Sequence, residues 1–336
     1  MRGVVRPPCR RAGLLAAVVA LAFVSACGGS DDNGSAGPTS SAVSDTAAPR
    51  TPDPAPQVEL TDVDKEVWTP GPPDRSRIPV LLYHGVAPAE DFADPADAAY
   101  GLDPDQFAEQ MALLHNAGYE TVTLDEFVRF VNGGEVSLPP HPLLLTFDDA
   151  RADSWTGGDG ILEQLGYNAV MFVDVGRVED GNPEYLTWDE LATVEASPRW
   201  ELQLHSGEGH QQIQYGPDPA DVGPYYAYEL EGETFDEWGV RVYGDIAEAQ
   251  KTLSAHIPSY QPLAFPPPYG NYGQDGTNDK RIPAALLPWL VDRFGIVFTQ
   301  DRPLYSTPGE EQPLGRFQVT REVTGGELHE ALVEDR

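Results

Sequence analysis

From Ile78 onward, short apolar runs alternate with segments of helical character, and this alternation constrains the fold more than any other feature of the chain. Runs such as Ile78 to Val86 and Asn168 to Val175 are apolar at consecutive positions, which is typical of strands buried on both faces. The intervening segments carry helix signals, for example Asp103 as an N-cap. Strands that alternate with helices are expected to be parallel, with the helices outside. We therefore predict an α/β fold, a distorted (β/α) barrel of seven or eight parallel strands.

One predicted strand, Leu143 to Phe147, runs directly into two adjacent carboxylates, Asp148 and Asp149. Such a pair often opens a turn or caps a helix, and that interpretation stays open at this point. Neighbouring residues at a strand end point to opposite sides, so the two carboxylates are able to serve different tasks. A bound metal would make their proximity tolerable.

A second predicted strand, which starts at Trp200, leads into His205 and His210. Catalytic groups of a parallel barrel lie at the C-terminal ends of its strands, where His84 is also expected. One carboxylate and two imidazoles with an open position are the usual ligand set of a hydrolytic divalent metal. A single histidine is more often structural, but two histidines after one strand, matched to Asp148-Asp149 after another, favour a metal site.

These motifs resemble those of the NodB-type polysaccharide deacetylases, carbohydrate esterase family 4, over about residues 78–299. Thr146 to Asp149 is similar to the first motif of that family, and His205 to His210 is similar to the second. One extra residue between the histidines, together with Leu82 to Val86, resembles the subgroup that acts on poly-N-acetylglucosamine. Pro268-Tyr269-Gly270 is similar to part of the third motif.

The resemblance implies metal-dependent hydrolysis of the N-acetyl groups of a cell-surface or extracellular polysaccharide of the N-acetylglucosamine type. Asp148 would be the general base. Asp149, His205 and His210 would bind a divalent metal, zinc in the first instance, with nickel, cobalt or iron as alternatives. Tyr269 would donate its backbone N–H to the oxyanion.

The chain departs from the family pattern at three places. Pro266 stands where the family commonly has an arginine that orients the base, and Ala150 replaces the glycine usual after the two aspartates. The late Leu-x-His motif that supplies a general acid is not evident. His329 is the only histidine downstream, so it is the candidate acid, with a surface histidine of a terminal helix as the alternative.

Two other classes of function remain open from the sequence. One is a non-catalytic carbohydrate-binding lipoprotein of the same fold, which the missing arginine and acid would suit. The other is a hydrolase of a different bond, such as a glycosidase with paired carboxylates, in which the two histidines would have no role. Sugar-stacking walls are expected, with buried packing as the alternative, from five aromatic residues: Tyr225, Tyr226, Tyr228, Trp238 and Tyr272.

The N-terminal residues indicate export. A basic stretch and an apolar run from Ala12 to Val24 precede Val24-Ser25-Ala26-Cys27, which resembles a bacterial lipobox. We predict a lipoprotein signal peptide over 1–27 with Cys27 lipidated, a disordered tether over 28–77 and the deacetylase-like barrel domain over 78–336. A signal peptide without lipidation is the alternative. The protein is expected at the bacterial cell membrane, facing outside the cytoplasm and attached only through Cys27.

The formal net charge of −33 restricts the partners. Nucleic acid and anionic membrane surfaces are both anionic, so they would be repelled. A neutral or cationic polysaccharide is compatible with this charge. The only cysteines, Cys9 and Cys27, lie in the leader, so the exported domain is expected to be stabilised by packing without a disulfide.

Overall fold

The structure of the protein is a computed structural model that describes residues 49–301 and 303–334. The predicted signal peptide, Cys27 and residues 28–48 of the predicted tether lie outside the described residues.

The strands of the described chain are short and are distributed along its whole length. In chain order they are β1 (Ile78–Tyr83), β2 (Tyr119–Thr121), β3 (His141–Phe147), β4 (Ala169–Asp174), β5 (Trp200–Ser206), β6 (Gln212–Gln214), β7 (Val222–Pro224), β8 (Ala264–Phe265), β9 (Ile296–Val297), β10 (Tyr305–Ser306) and β11 (Phe317–Gln318).

Helices separate most of these strands. In chain order they are α1 (Asp62–Val67), α2 (Pro95–Ala98), α3 (Pro104–Asn116), α4 (Leu124–Val131), α5 (Ala152–Leu165), α6 (Val175–Glu179), α7 (Trp188–Glu195), α8 (Phe235–His256), α9 (Arg281–Phe294) and α10 (Gly325–Glu334).

Parallel pairing dominates the sheet, as the alternation of elements predicts. The parallel pairs are β1 with β3 and β11, β2 with β3, β3 with β4, β4 with β5, and β8 with β9. The exceptions are β10, which runs antiparallel to the start of β1, and the antiparallel pair β6–β7. The α/β fold with a mostly parallel central sheet is confirmed.

Side chains and single bridges connect the strands where the backbone ladder is interrupted. Between β5 and β8, the Gln203 side chain donates to the carbonyl oxygen of Gln261 at 2.9 Å and accepts from the Leu263 N–H at 3.0 Å. After β9, Phe298 forms a parallel bridge with Leu314, in the segment that leads to β11. These contacts link the separate two-stranded sheet β8–β9 to β5 on one side and to the segment before β11 on the other.

Two apolar clusters explain why the strands carry consecutive apolar residues. Side chains from one face, such as Leu145 and Met171, pack with the helices, whereas Leu144, Val170 and Phe298 from the other face form a separate inner cluster. Both faces of the sheet are thus withdrawn from water, which is the usual condition of parallel strands. The carboxyl ends of β1, β3 and β5 lie at one edge of this core.

Local sequence signals set the helix ends. Asp103 accepts a hydrogen bond from the Asp105 N–H at the start of α3, as predicted. Gly166 follows α5 with a φ of 70°, a left-handed conformation that glycine adopts without steric cost. Thr234 and Glu237 form a capping box at the start of α8. Among the described residues, no helix combines the length and apolar composition needed to cross a membrane.

The described part of the predicted tether, residues 49–77, is not a disordered segment, so the domain boundary predicted at residue 78 is too late. Trp68 is only 3% exposed, and the short helix α1 precedes it. Arg50 forms an ion pair with Glu190 at 2.6 Å, and the Asp53 N–H donates to the Thr156 carbonyl oxygen at 2.7 Å. The segment packs on the domain only at these separate residues. It has no apolar periodicity, and for that reason its sequence suggested disorder.

Candidate active site

The two aspartates after β3 diverge because the backbone turns sharply between them. Asp148 still follows the strand, and its N–H donates to the Tyr83 carbonyl oxygen at 3.1 Å. Asp149 and Ala150 then adopt φ values of 76° and 55°, a left-handed conformation that is strained for any residue with a Cβ. Strain of this kind persists only where the surrounding structure enforces it, and it is concentrated at functional sites.

Asp149 faces both predicted histidine ligands. Its Oδ1 lies 2.9 Å from His210 Nε2 and 3.3 Å from His205 Nε2. One ligand atom from each of the three residues lies within 4.8 Å of the others. Asp149 Oδ1 and His210 Nε2 are buried without a geometrically acceptable hydrogen bond. Two imidazole nitrogens and one carboxylate oxygen that converge in this way fit a divalent metal and leave further coordination positions for water or substrate.

The pKa values of Asp149 and His210 shift in opposite directions because their charges attract each other. Burial would lower the pKa of His210, but the Asp149 carboxylate outweighs that effect and raises the pKa to about 9. Burial would likewise raise the pKa of Asp149, but the charge of His210 and the nearby imidazole of His205 hold it well below its usual range. The carboxylate therefore attracts a positive charge to this position, as a metal ligand must.

Second contacts orient the two imidazoles. His205 Nδ1 lies 2.8 Å from the Pro266 carbonyl oxygen, so a proton on Nδ1 leaves the Nε2 lone pair directed at Asp149. The loop that carries His210 is anchored to α8, because the Asp245 side chain accepts a hydrogen bond from the Glu208 N–H at 2.8 Å. The extra residue between the histidines is thus accommodated in a loop that has its own anchor.

Asp148 has a different partner, which sequence reasoning missed. Arg316 Nη1 donates to Asp148 Oδ1 at 2.8 Å, and Nη2 donates to Oδ2 at 2.7 Å. Both side chains are almost completely buried. Burial would raise the pKa of Asp148, but the Arg316 charge outweighs it and lowers the pKa below its usual value. Arg316 immediately precedes β11, which pairs with β1, and so supplies the guanidinium that Pro266 does not.

These groups open into one cleft with a volume of 390 Å³ at the carboxyl ends of the strands. Asp148, Asp149, His205, His210 and Tyr269 all line it. The structure therefore brings together every predicted site residue except His329.

Comparison with known proteins gives a consistent result. Residues 135–281 match the sequence model of the family described as polysaccharide deacetylase. The chain contains a NodB-like polysaccharide deacetylase domain.

Individual relatives of this deacetylase domain are distant. YxkH of Bacillus subtilis, whose name places it among the polysaccharide deacetylases, is 25% identical over 138 residues, which cover 40% of this chain and 44% of YxkH. The chain therefore spans less than half the length of that curated relative.

Solved structures share the fold. The de-N-acetylase from Aggregatibacter actinomycetemcomitans superimposes with a TM-score of 0.62 at 20% identity, over 76% of this chain and 99% of the other. IcaB from Ammonifex degensii gives a TM-score of 0.57 at 22% identity, over 78% of this chain and 97% of IcaB. The NodB-like barrel architecture is therefore shared with these proteins.

Tyr269 of the deacetylase domain lies in a tight turn, Pro268–Gly270, with a φ of 61°. The backbone hydrogen bonds of this turn run from Gly270 to Pro267 and from Asn271 to Pro268. Tyr269 also lines the cleft, so its backbone N–H stays a candidate donor to a developing oxyanion.

His84 is a further imidazole of the cleft. It follows β1 directly, and its Nδ1 is buried without a hydrogen-bond partner among the described residues. Burial lowers the pKa of His84, against the opposing charges of Asp149 and Asp148. Its position after a buried strand was the available sequence signal, and no role was assigned to it from the sequence.

The prediction of His329 as the acid is wrong. Its ring packs edge-on against Trp68, with the centroids 5.1 Å apart. It lines a small cavity together with His141, at the start of β3, whereas Asp148 follows the other end of that strand. Seven residues of strand span roughly 20 Å, so His329 is remote from the cleft. Helix α10 packs at the opposite end of the barrel.

Buried packing, the alternative to sugar-stacking walls, holds for two of the five aromatic residues. Tyr226 and Trp238 are fully buried, and none of the five predicted aromatic residues lines the cleft. The aromatic residues that do line it are Tyr100, Tyr185 and Tyr269. Tyr226 packs instead on α8, where the Trp238 indole N–H donates to the Tyr226 carbonyl oxygen at 3.0 Å.

Proposed function

We propose that this domain is a metal-dependent deacetylase that hydrolyses the N-acetyl groups of an extracellular or cell-surface polysaccharide of the N-acetylglucosamine type. The observation that supports this proposal most directly is that the two adjacent carboxylates have different partners. Asp148 is held by Arg316, whereas Asp149 faces His205 and His210. One carboxylate is thereby kept available as a base, and the other completes a metal site.

The mechanism follows from the positions of these groups. A divalent metal held by Asp149 and the two histidines would polarise the acetamide carbonyl and lower the pKa of the attacking water. Arg316 occupies one lone pair on each oxygen of Asp148, so a second lone pair remains to accept a proton from that water. The Tyr269 N–H would stabilise the negative charge that develops on the carbonyl oxygen.

The departing nitrogen needs a proton, and the structure offers His84 in place of His329. His84 lines the same cleft as Asp148, and within the described part of the chain its Nδ1 has no hydrogen-bond partner. We assign the delivery of that proton to His84. Substitution His84→Asn is expected to lower turnover by about a hundredfold, the usual contribution of a positioned acid, while the bound metal is retained. Unchanged turnover in this variant would contradict the role of His84.

Arg316 also helps to decide between this function and the two alternatives, a binding module and a glycosidase. A non-catalytic binding module was favoured by a missing arginine and a missing acid, and Arg316 and His84 supply both groups. A glycosidase with paired carboxylates would leave the two histidines unexplained, although both converge on Asp149. The site chemistry therefore favours amide hydrolysis.

The test is release of acetate from N-acetylglucosamine oligomers by the metal-loaded protein. Acetate and free amine are expected in equal amounts, with loss of activity on chelation and recovery when zinc is added back. New reducing ends without acetate would indicate glycosidic cleavage. Binding of the oligomer without either product would indicate a binding module.

We also propose that the domain is anchored outside the cytoplasm by a lipid on Cys27. The support is the lipobox-like sequence Val24-Ser25-Ala26-Cys27 after an apolar run. Substitution Cys27→Ser is expected to release the protein into the soluble fraction. Unchanged membrane partitioning of that variant would contradict the anchor.

A further inference from the structure

A smaller cavity of 130 Å³ adjoins the cleft and contains a buried acid that the mechanism does not use. Arg177 and His210 line both spaces, so the smaller cavity, here called the side lobe, continues the cleft beyond the metal ligands. Its remaining charged residues are Asp174, Asp180 and Glu208. Carboxylates therefore outnumber the guanidinium by three to one.

Asp174 is the deepest of these carboxylates. It ends β4 and is 1% exposed, and its Oδ1 has no hydrogen-bond partner among the described residues. Arg177 approaches only the other oxygen, with Nε 3.7 Å from Oδ2, which is longer than a hydrogen bond. A buried carboxylate oxygen without a donor is costly, and a ligand that brings a donor would remove that cost.

Position and charge together define what such a ligand must be. The ligand can enter the side lobe from the cleft, because Arg177 and His210 line both spaces. It must donate hydrogen bonds and carry positive charge, because Asp174 offers an unpaired acceptor and Glu208 and Asp180 add negative charge at the rim. A primary ammonium is a compact cation with three donors and no acceptor.

We propose that the side lobe is a subsite for the ammonium group of a glucosamine unit next to the unit being deacetylated. This inference rests on the proposed function, because that reaction converts acetamides into amines along one polymer. The enzyme would then recognise its own product in the neighbouring position, and partly deacetylated chains would be its preferred substrates. The net charge of −33 is compatible with a cationic polymer.

The test compares defined oligomers at neutral pH. One is fully N-acetylated, and two carry a single glucosamine on one or the other side of the reacting unit. For one of the latter, kcat/KM of the metal-loaded wild-type protein is expected to exceed that of the fully acetylated oligomer by about tenfold, the usual order for a hydrogen bond to a charged group. Added salt is expected to reduce this ratio.

Variants assign the effect to the side lobe. Asp174→Asn removes the buried charge at nearly constant size, and Glu208→Gln does the same at the exposed rim, where folding is not at risk. Both are expected to lower the ratio of the two kcat/KM values toward one. Glu109→Gln, on the exposed face of α3, removes an equal charge elsewhere and is expected to keep the ratio.

Each result decides the proposal. A wild-type ratio near one, or a ratio that survives Asp174→Asn and Glu208→Gln, overturns the ammonium subsite. If no oligomer releases acetate, the proposed function fails, and equilibrium binding of glucosamine and N-acetylglucosamine oligomers then decides the subsite alone. Tighter binding of the glucosamine oligomer that is lost in both variants would sustain it, and equal binding would overturn it.

Discussion

Replacing Arg316 with methionine is expected to be among the most destabilising single changes in the domain. Its guanidinium contacts Asp148 through bonds of 2.8 and 2.7 Å, and both side chains are buried. Removing one partner of such a pair leaves an uncompensated buried charge and typically costs about 3–5 kcal/mol. A domain is usually stable by about 5–15 kcal/mol, so the variant is expected to fold with a much lower denaturant midpoint.

The second half of this prediction is a double-mutant cycle. Asp148→Asn removes the charge that Arg316→Met leaves unpaired, so the double variant is expected to lose at least about 2 kcal/mol less than the sum of the single variants. Denaturant unfolding of the metal-free proteins, followed by tryptophan fluorescence, measures all four free energies. Metal-free protein is used because metal binding to the folded state would add its own stabilisation. Additive losses, or an unchanged midpoint for Arg316→Met, would refute the buried pair.

Three further predictions concern the metal site and the domain boundary. His205→Ala and His210→Ala are each expected to lose bound metal and metal-dependent thermal stabilisation together, and a full equivalent of metal in both would contradict the ligand assignment. In the metal-free protein, the pKa of His210 is raised from 6.5 to about 9 by Asp149 against the effect of burial. The charged His210 therefore stabilises the folded state fully below pH 6.5, and this contribution is lost as the pH rises through about 9. Unfolding measured across this pH range should show that the free energy of unfolding falls by about 3 kcal/mol in the wild-type protein, and His210→Ala should abolish this fall. Deletion of residues 49–73 should lower the denaturant midpoint, because the loss of a buried tryptophan such as Trp68 alone typically costs about 3–5 kcal/mol. An unchanged midpoint would show that the segment adds no stability.

The fold was predictable wherever a local signal determines the structure. Consecutive apolar residues in β3 and β4 indicated strands buried on both faces, and both faces are covered. The cap at Asp103 placed the start of α3, because the side chain that satisfies the first N–H groups is only two residues away. The convergence of Asp149, His205 and His210 was predictable for a similar reason, since each of their motifs follows a recognisable strand.

Contacts between distant parts of the chain were not predictable. Arg316 lies 168 residues from Asp148, and nothing in the residues around it shows that its side chain is buried. His329 was chosen because it was the only histidine downstream, and sequence order carries no information about which end of the barrel α10 covers. Trp68 was missed because one apolar anchor in a proline-rich segment produces no periodicity.

The central claim is that adjacent aspartates have separate roles, and it is tested most directly by comparing Asp148→Asn with Asp149→Asn for bound metal and acetate release. Asp148→Asn should keep the metal and the affinity for N-acetylglucosamine oligomers, while turnover falls by about a hundredfold or more through loss of the base. Asp149→Asn should lose metal and turnover together. Equal loss of metal in both variants, or full turnover in Asp148→Asn, would contradict the division of roles.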